Sequence, residues 1–219
     1  MFTDGNSAPR IPAASSLYGA VTFAYSTSRT AAAGLDWEYV VRDVLPEELE
    51  AAVREVEYAN VTAPYKLDAA GILGAELPSV NTIVRGRGFS TDAAILGQVT
   101  GCYKPAIVGD GGAAAAFRQA LPDGRLFARR GEWPPDVRDA DLVIHATPVR
   151  DEVLFELGPG QTLIDLPYPR TATAEAAAAS GARVLDGLEV LVAQGAASFE
   201  LWTGVEAPLD AMRSALGLT

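Results

Sequence analysis

Ala106-Ile107-Val108-Gly109-Asp110-Gly111-Gly112 joins a short apolar run to a cluster of glycines, and the alanine-rich segment 113–121 follows it. This order predicts a buried strand, a tight turn and a helix. Glycines at such a turn let a pyrophosphate approach the backbone N–H groups at the start of the helix. Ala114 stands where a third glycine would contact the sheet. We therefore predict a dinucleotide site that includes Gly109, Gly111, Gly112 and Ala113.

The segments after this turn alternate between strand and helix. Such alternation predicts a parallel sheet with right-handed crossovers, and it strengthens a glycine motif that would be weak alone. Two amphipathic helices are predicted near the C-terminus. The predicted strands are 106–108, 126–128, 142–144, 162–164 and 183–185, and the predicted helices are 113–121, 175–180, 189–202 and 210–216.

The residues after the second of these strands indicate which dinucleotide binds. An acidic residue there would bind a ribose 2′-hydroxyl, but this chain has Arg129 and Arg130. Arginine suits forked contacts to a phosphate, so we predict NADP in preference to NAD. The alternative is two solvated arginines on a loop. Asp110 argues against phosphate binding, unless it caps the helix that follows.

The first half of the chain predicts a different set of elements. Residues 1–15 are rich in Gly, Pro, Ser and Ala and are predicted to be a mobile leader, and 24–30 a loop. Pro46 and the acidic residues after it predict a helix start. The predicted strands are 17–23 and 37–41, the helices 46–55 and 92–99, and the hairpin pairs 80–85 with 88–90.

Asn60-Val61-Thr62-Ala63-Pro64-Tyr65-Lys66 follows the first predicted helix. We predict that it ends a strand with an amide, a hydroxyl and an ammonium group that suit a small polyol, and that Pro64 stops the strand. A partly desolvated lysine can carry protons near neutral pH. The alternative is a surface lysine in a turn.

Composition excludes several classes of protein. The net charge of −11 argues against a nucleic-acid or anionic-membrane partner. One cysteine, Cys102, cannot form an internal disulfide, so we expect a reducing cytoplasm. No apolar run approaches a membrane span, and the N-terminus has no signal-peptide pattern. With one histidine, His145, we expect no metal site.

Six motifs occur in order along the chain: Asn60-Val-Thr-x-Pro-x-Lys66, Val80-Asn-Thr82, Ser90-Thr-Asp92, Gly109-x-Gly-Gly-Ala113, Ala146-Thr-Pro148 and Asp186-Gly-Leu-Glu-Val-Leu-Val-Ala-Gln194. Together they resemble the shikimate dehydrogenase family, and the resemblance covers nearly everything after Leu17. It implies two α/β domains: a substrate domain of residues 1–99 with the helices of 189–219 packing back, and a Rossmann-like NADP domain of 100–188. It also implies reversible oxidation of the shikimate 3-hydroxyl.

The resemblance also assigns roles. It implies that Lys66 is catalytic, with Asp92 orienting it and tuning its charge. A Ser-x-Ser pair, here Ser26 and Ser28, would hold the substrate carboxylate, and Ser15-Ser16 is the other placement. The remaining substrate-binding residues would be Thr62, Asn81, Gln194 and Tyr168, and the remaining cofactor-binding residues Thr147 and Gly187.

The chain also departs from the family. It is shorter, and the helix after the Ser-x-Ser loop is reduced to 29–33. Ser90 replaces an asparagine, which implies a lost hydrogen bond to Asp92. His145 also replaces an asparagine, and Arg150 a glycine, beside the expected nicotinamide. The alternatives are a quinate or aminoshikimate dehydrogenase, a catalytically weak ligand-binding relative, and a generic Rossmann oxidoreductase. We expect a monomer or a homodimer.

Overall fold

The computed structural model describes residues 20–23, 40–101 and 104–218, and its strands form two five-stranded sheets. The first sheet contains β1 (Ala20–Phe23), β2 (Val40–Asp43), β3 (Tyr58–Val61), β4 (Thr82–Val84) and β5 (Arg87–Phe89). The second sheet contains β6 (Pro105–Val108), β7 (Arg125–Phe127), β8 (Leu142–His145), β9 (Thr162–Asp165) and β10 (Arg183–Leu185).

The first sheet is antiparallel throughout, with the strand order β2-β1-β3-β4-β5. Its last two strands confirm the predicted hairpin. Arg85 and Gly86 both have positive φ, 47° and 75°, as the favoured two-residue hairpin turn requires. The register places Asn60 of β3 opposite Thr82 of β4, so polar residues of the two strands share one end of the sheet.

Helices cover the first sheet and build its core. A 3₁₀ turn at Pro46–Glu48 leads into α1 (Leu49–Glu55), which confirms the predicted helix. α2 (Lys66–Leu73) packs beside it and ends at Gly74, whose φ is 61°. Val53, Ile83 and Ala69 are fully buried between these elements.

Two predictions for this half are corrected. Lys66 does not lie at a strand end, because β3 stops at Val61 and Lys66 is the first residue of α2. The segment 92–99 contains a 3₁₀ helix, Ala94–Gln98, where an α-helix was predicted. Ile95, from this 3₁₀ helix, packs into the core of the second sheet.

The second sheet is parallel throughout, as predicted, with the order β10-β9-β8-β6-β7. α3 (Gly112–Ala120) follows β6, and α4 (Ala172–Ala179) lies between β9 and β10. Separate apolar clusters cover the two faces of the sheet: Val143 and Leu163 belong to one, Ile144 and Ile164 to the other. Burial on both faces explains why these strands are uninterrupted apolar runs.

The long helix α5 (Gly187–Thr203) connects the two sheets, and α6 (Leu209–Ala215) packs against it. Val190, near the start of α5, lies in the core of the second sheet. Near its end, the Trp202 indole nitrogen donates a hydrogen bond of 3.0 Å to the carbonyl of Ile83 in β4. Within the described ranges, no helix is both long and apolar enough to cross a membrane.

Candidate functional site

Lys66 is held in place through the backbone around it. The carbonyl of Lys66 accepts a hydrogen bond of 2.8 Å from the N–H of Val80. The preceding residue, Tyr65, is 7% exposed, and its hydroxyl donates to the carbonyl of Val44 at 3.0 Å. The start of α2 is therefore fixed on both sides, which limits the positions that the lysine can adopt.

The Lys66 ammonium and the Asp92 carboxylate form a close ion pair. The Nζ atom lies 2.6 Å and 2.8 Å from the two carboxylate oxygens, so it donates to both. The side chains are 13% and 5% exposed. Because each charge has lost most of its water, each depends on the other for compensation. The predicted convergence of these two groups is present.

Asn81 organises the carboxylate. Its amide nitrogen donates to Asp92 Oδ1 at 3.1 Å and lies 3.4 Å from Gln194 Oε1, while its Oδ1 atom accepts the N–H of Thr91 at 2.7 Å. Asn81, Asp92 and Gln194, predicted from distant parts of the chain, are thus in one network. The Ser90 hydroxyl oxygen is buried without a hydrogen-bond partner among the described residues, and the amide of Asn81 orients Asp92.

A buried hydroxyl cluster behind this network was not predicted. Ser198 of α5 lies 2.8 Å from the Thr82 hydroxyl, 3.1 Å from the Thr91 hydroxyl and 3.0 Å from the Asn60 amide nitrogen. Ser198 is fully buried. It joins α5 to β4, which Asn81 precedes, and to the segment after β5 that carries Asp92. A serine inside an amphipathic helix gave no sequence signal for this contact.

We expect Ser198→Ala to lower the free energy of unfolding by about 1–2 kcal/mol, because two buried hydroxyls and one partly buried amide lose a partner. Urea unfolding followed by tryptophan fluorescence measures the effect. Ser214→Ala, at an exposed position on α6, is the matched control and should change little. Equal stabilities for the two variants would contradict a structural role for the Ser198 hydroxyl.

The glycine turn of the second sheet lies directly against Lys66. A Cβ atom placed on Gly112 would be 2.7 Å from the Cβ of Lys66, so only a glycine permits this approach. Ser79, fully buried, donates from its hydroxyl to the carbonyl of Gly112 at 2.8 Å. The ammonium–carboxylate pair therefore lies beside the start of α3.

Gly109 fits the predicted phosphate turn. Its φ is +135°, and a Cβ there would be 2.5 Å from the carbonyl oxygen of Ala146. β6 and β8 are neighbours in the sheet. The strand after β6 is added on one side of this pair, and the strand after β8 is added on the other side. Open α/β sheets bind ligands at the carboxyl ends of the strands where the order reverses in this way. Gly111 is the N-cap of α3 and no side chain caps that helix, so the alternative role of Asp110 as a cap is wrong.

The two arginines follow β7 and are exposed. The Arg129 guanidinium lies over the ring of Trp133, 5.6 Å from its centroid. Stacking on an aromatic ring holds a guanidinium flat and leaves its N–H groups directed outward. This arrangement suits a phosphate at the end of β7.

Thr147 lies two residues beyond the end of β8, and a buried chain of hydrogen bonds stands behind it. Its hydroxyl is 2.7 Å from Nε2 of His145, and Nδ1 of His145 is 2.6 Å from Asp165 Oδ1. Asp165 also accepts the N–H and the hydroxyl of Thr171, each at 3.1 Å. His145 and Asp165 are fully buried. The sequence singled out His145 and Thr147, but not Asp165 or Thr171.

The other predicted residues are more scattered. Thr62 is exposed, and its carbonyl accepts the N–H of Tyr65. Tyr168 is 51% exposed, and its carbonyl accepts a hydrogen bond from Arg150. Gly187 begins α5 so close to Pro167 that a Cβ would lie 2.5 Å from the Pro167 carbonyl oxygen. Ser26 and Ser28 lie outside the described residues, as do 24–30 and 1–15.

A parallel sheet whose glycine turn meets a buried lysine–aspartate pair is typical of pyridine-nucleotide oxidoreductases, and the chain is of that class. Residues 187–216 match the family model of the shikimate 5′-dehydrogenase C-terminal domain. The chain is 31% identical to shikimate dehydrogenase (NADP(+)) of Halobacterium salinarum over 84% of its own length and 88% of the relative's. With that of Methanopyrus kandleri the identity is 34%, over 84% and 86%. The chain belongs to the shikimate dehydrogenase family.

Solved structures agree with this assignment. The shikimate 5-dehydrogenase of Thermus thermophilus, in complex with NADP(H) and shikimate, is 27% identical, with a TM-score of 0.73 over 87% of this chain and 91% of that one. A quinate dehydrogenase from Corynebacterium glutamicum, at 22% identity and a TM-score of 0.62, shares the fold. The shortened chain therefore retains the family's two-sheet architecture.

Proposed function

We propose that this protein is an NADP-dependent shikimate dehydrogenase, which interconverts shikimate and 3-dehydroshikimate on the route to aromatic amino acids. The Lys66–Asp92 ion pair beside the start of α3 carries the proposal, because it places a proton-carrying pair next to a dinucleotide turn. The names of the relatives, shikimate dehydrogenase (NADP(+)), support the substrate and the cofactor.

In this proposal residues 1–99 and the helices of 189–219 hold the substrate, and residues 100–188 hold the dinucleotide. Ser26 and Ser28 bind the substrate carboxylate. The ring hydroxyls are bound by Thr62, Asn81, Gln194 and Tyr168. The contacts among Asn81, Asp92 and Gln194 support the shared site, because they join residues of the first half to α5.

Lys66 and Asp92 would manage the proton of the reacting hydroxyl. Oxidation of an alcohol requires that its O–H proton leave as the C–H hydride is transferred. Lys66 donates to both oxygens of Asp92, so its third N–H remains to meet the substrate oxygen and can pass to that oxygen when the ketone is reduced. In the oxidative direction the neutral Lys66 amine takes the hydroxyl proton and returns to the ammonium form. Asn81 fixes the carboxylate, which in turn fixes the lysine, and this preorganisation keeps the pair aligned with a bound hydroxyl.

The cofactor-binding residues would be those of the second sheet. The dinucleotide, when bound, supplies the hydride acceptor. Gly109, Gly111, Gly112 and Ala113 leave room for its pyrophosphate at the start of α3, and Arg129 and Arg130 bind its 2′-phosphate. Thr147, which follows β8, and Gly187, which begins α5, are assigned to the same site. The close approach of Gly109 to Ala146 supports a turn built around glycine.

Absorbance of NADPH tests the function directly. The purified protein should reduce NADP in the presence of shikimate at mildly alkaline pH, and quinate and an amino analogue should be compared in the same assay. NAD is tested beside NADP with each substrate. Failure of all three substrates with both cofactors would contradict the proposal. Dinucleotide binding without turnover would instead identify a ligand-binding relative.

We expect Arg129→Ala and Arg130→Ala each to raise the KM for NADP about tenfold and to leave the KM for NAD nearly unchanged, because a charged hydrogen bond to the 2′-phosphate is lost. Steady-state kinetics with both cofactors measure this. Arg138→Ala is the control, because Arg138 is engaged with Asp136, whose pKa its hydrogen bond lowers to about 2. Parallel losses with NADP and NAD would contradict the assignment.

For the cellular context, we propose a cytoplasmic enzyme that acts as a monomer or a homodimer. One cysteine, which cannot pair within the chain, supports a reducing compartment. Gel filtration with light scattering determines the oligomeric state.

A further inference from the structure

The hydrogen-bond chain behind Thr147 has a defined direction. The chain starts at Thr171. The hydroxyl oxygen of Thr171 accepts the N–H of Ala174 at 3.1 Å, so the hydroxyl hydrogen is available to Asp165. The N–H of Thr171 donates to the other oxygen of Asp165. Both carboxylate oxygens are thus acceptors, and with Asp165 ionised neither of them carries a hydrogen to donate.

The third donor to Asp165 must then be His145. Its Nδ1 atom is 2.6 Å from Asp165 Oδ1, and an accepting carboxylate requires a hydrogen on Nδ1. In the neutral imidazole this leaves Nε2 as an acceptor. The Phe155 ring packs edge to face against the imidazole at 5.9 Å and holds its plane.

Thr147 completes the chain. Its hydroxyl lies 2.7 Å from Nε2 of His145, and with the neutral Nδ1–H imidazole it donates its hydrogen there. The N–H of Val149 also points to the Thr147 oxygen, at 3.3 Å. The remaining capacity of that oxygen is a lone pair. Thr147 therefore presents a hydrogen-bond acceptor, not a donor, to the crevice at the carboxyl ends of β6 and β8.

We propose that His145 and Asp165 are positioning residues that set Thr147 as an acceptor for a hydrogen-bond donor of the bound dinucleotide. An amide N–H of the nicotinamide and a ribose hydroxyl are the donors that such a molecule offers. This inference rests on the proposed function for the identity of the ligand. The direction of the hydrogen-bond chain does not depend on it.

The direction can be measured without any ligand, because His145 is the one histidine of the chain. NMR of protein labelled with ¹⁵N in histidine shows the signals of one imidazole. The chemical shifts of its two nitrogens report which nitrogen carries a hydrogen. We expect the Nδ1–H form in the wild type. In Asp165→Asn the new amide can donate to Nδ1, which favours the Nε2–H form. A hydrogen on Nε2 in the wild type, whether in the neutral imidazole or in the imidazolium, would overturn the proposal.

Dinucleotide binding tests the consequence by equilibrium titration, so turnover is not needed. Thr147→Val should weaken NADP binding about tenfold, and Thr147→Ser should restore it. His145→Gln, which can still accept at the position of Nε2, should bind more tightly than His145→Asn, which cannot reach it. Equal affinities for wild type and Thr147→Val would overturn the proposal, even if shikimate oxidation failed for another reason.

A cofactor analogue separates the two donors. An acetylpyridine analogue of NADP replaces the amide NH₂ with a methyl group. If the amide is the donor, the wild type should bind the analogue about tenfold more weakly than NADP, and Thr147→Val should bind both alike. If a ribose hydroxyl is the donor, Thr147→Val should weaken both dinucleotides equally. Either pattern supports the acceptor role of Thr147, and no effect of Thr147→Val on either dinucleotide excludes it.

Discussion

Lys66→Ala should lower kcat for shikimate oxidation by about 10²–10⁴-fold, because a positioned proton-transfer group contributes that much. The variant should also have a lower free energy of unfolding than the wild type, because the largely buried Asp92 carboxylate loses the ammonium that compensates its charge. Rates are therefore compared at a temperature at which both proteins are folded. The Asp92 carboxylate keeps its hydrogen bond from Asn81. Binding of NADP should change little.

Lys104→Ala is the matched control. Lys104 is the other lysine of the chain, it is exposed, and it directly precedes β6, at the opposite end of the strand from the glycine turn. Its loss should leave kcat unchanged. Rate measurements for both variants, with circular dichroism to verify folding, decide the matter. A Lys66→Ala enzyme with wild-type kcat would eliminate the lysine as the proton-carrying group.

The elements of the second sheet could be predicted because their physics is local. Parallel strands buried on both faces require continuous apolar runs, and each run lies within one or two residues of its observed strand. The glycine turn carried its own signal, since Gly109 has a backbone conformation that other residues rarely adopt. The pairing of Lys66 with Asp92 was predicted from the resemblance to the shikimate dehydrogenase family, because the spacing of the two residues in the sequence does not indicate a contact.

What could not be predicted depends on register and on packing between distant segments. β8 and β9 pair so that His145 lies opposite Asp165, and each is the last residue of its strand. Once the register is known, the polar residue that ends each of these two apolar runs predicts the contact between His145 and Asp165. Helix α2 was missed because only eight residues separate Tyr65 from Gly74, and the proline before it indicated a stop.

Gly109→Ala should have the largest effect on stability, and we expect it to lower the free energy of unfolding by about 3 kcal/mol or more. The positive φ alone costs about 1–3 kcal/mol for a residue with a Cβ. The new methyl group would also lie 2.5 Å from the Ala146 carbonyl oxygen, which forces the ends of β6 and β8 apart. Urea unfolding measures the loss.

Gly111→Ala separates strain from ligand approach. Gly111 has a φ of −83°, and no atom of the described residues outside its immediate neighbours lies within 4 Å of the position of its Cβ. The substitution should therefore cost less than about 1 kcal/mol, the amount by which alanine is a poorer N-cap than glycine. A pyrophosphate must nevertheless pass close to this residue, and a methyl group would obstruct it. Weaker NADP binding with normal stability is therefore the expected result for Gly111→Ala. If it binds NADP normally, the pyrophosphate does not lie at this turn.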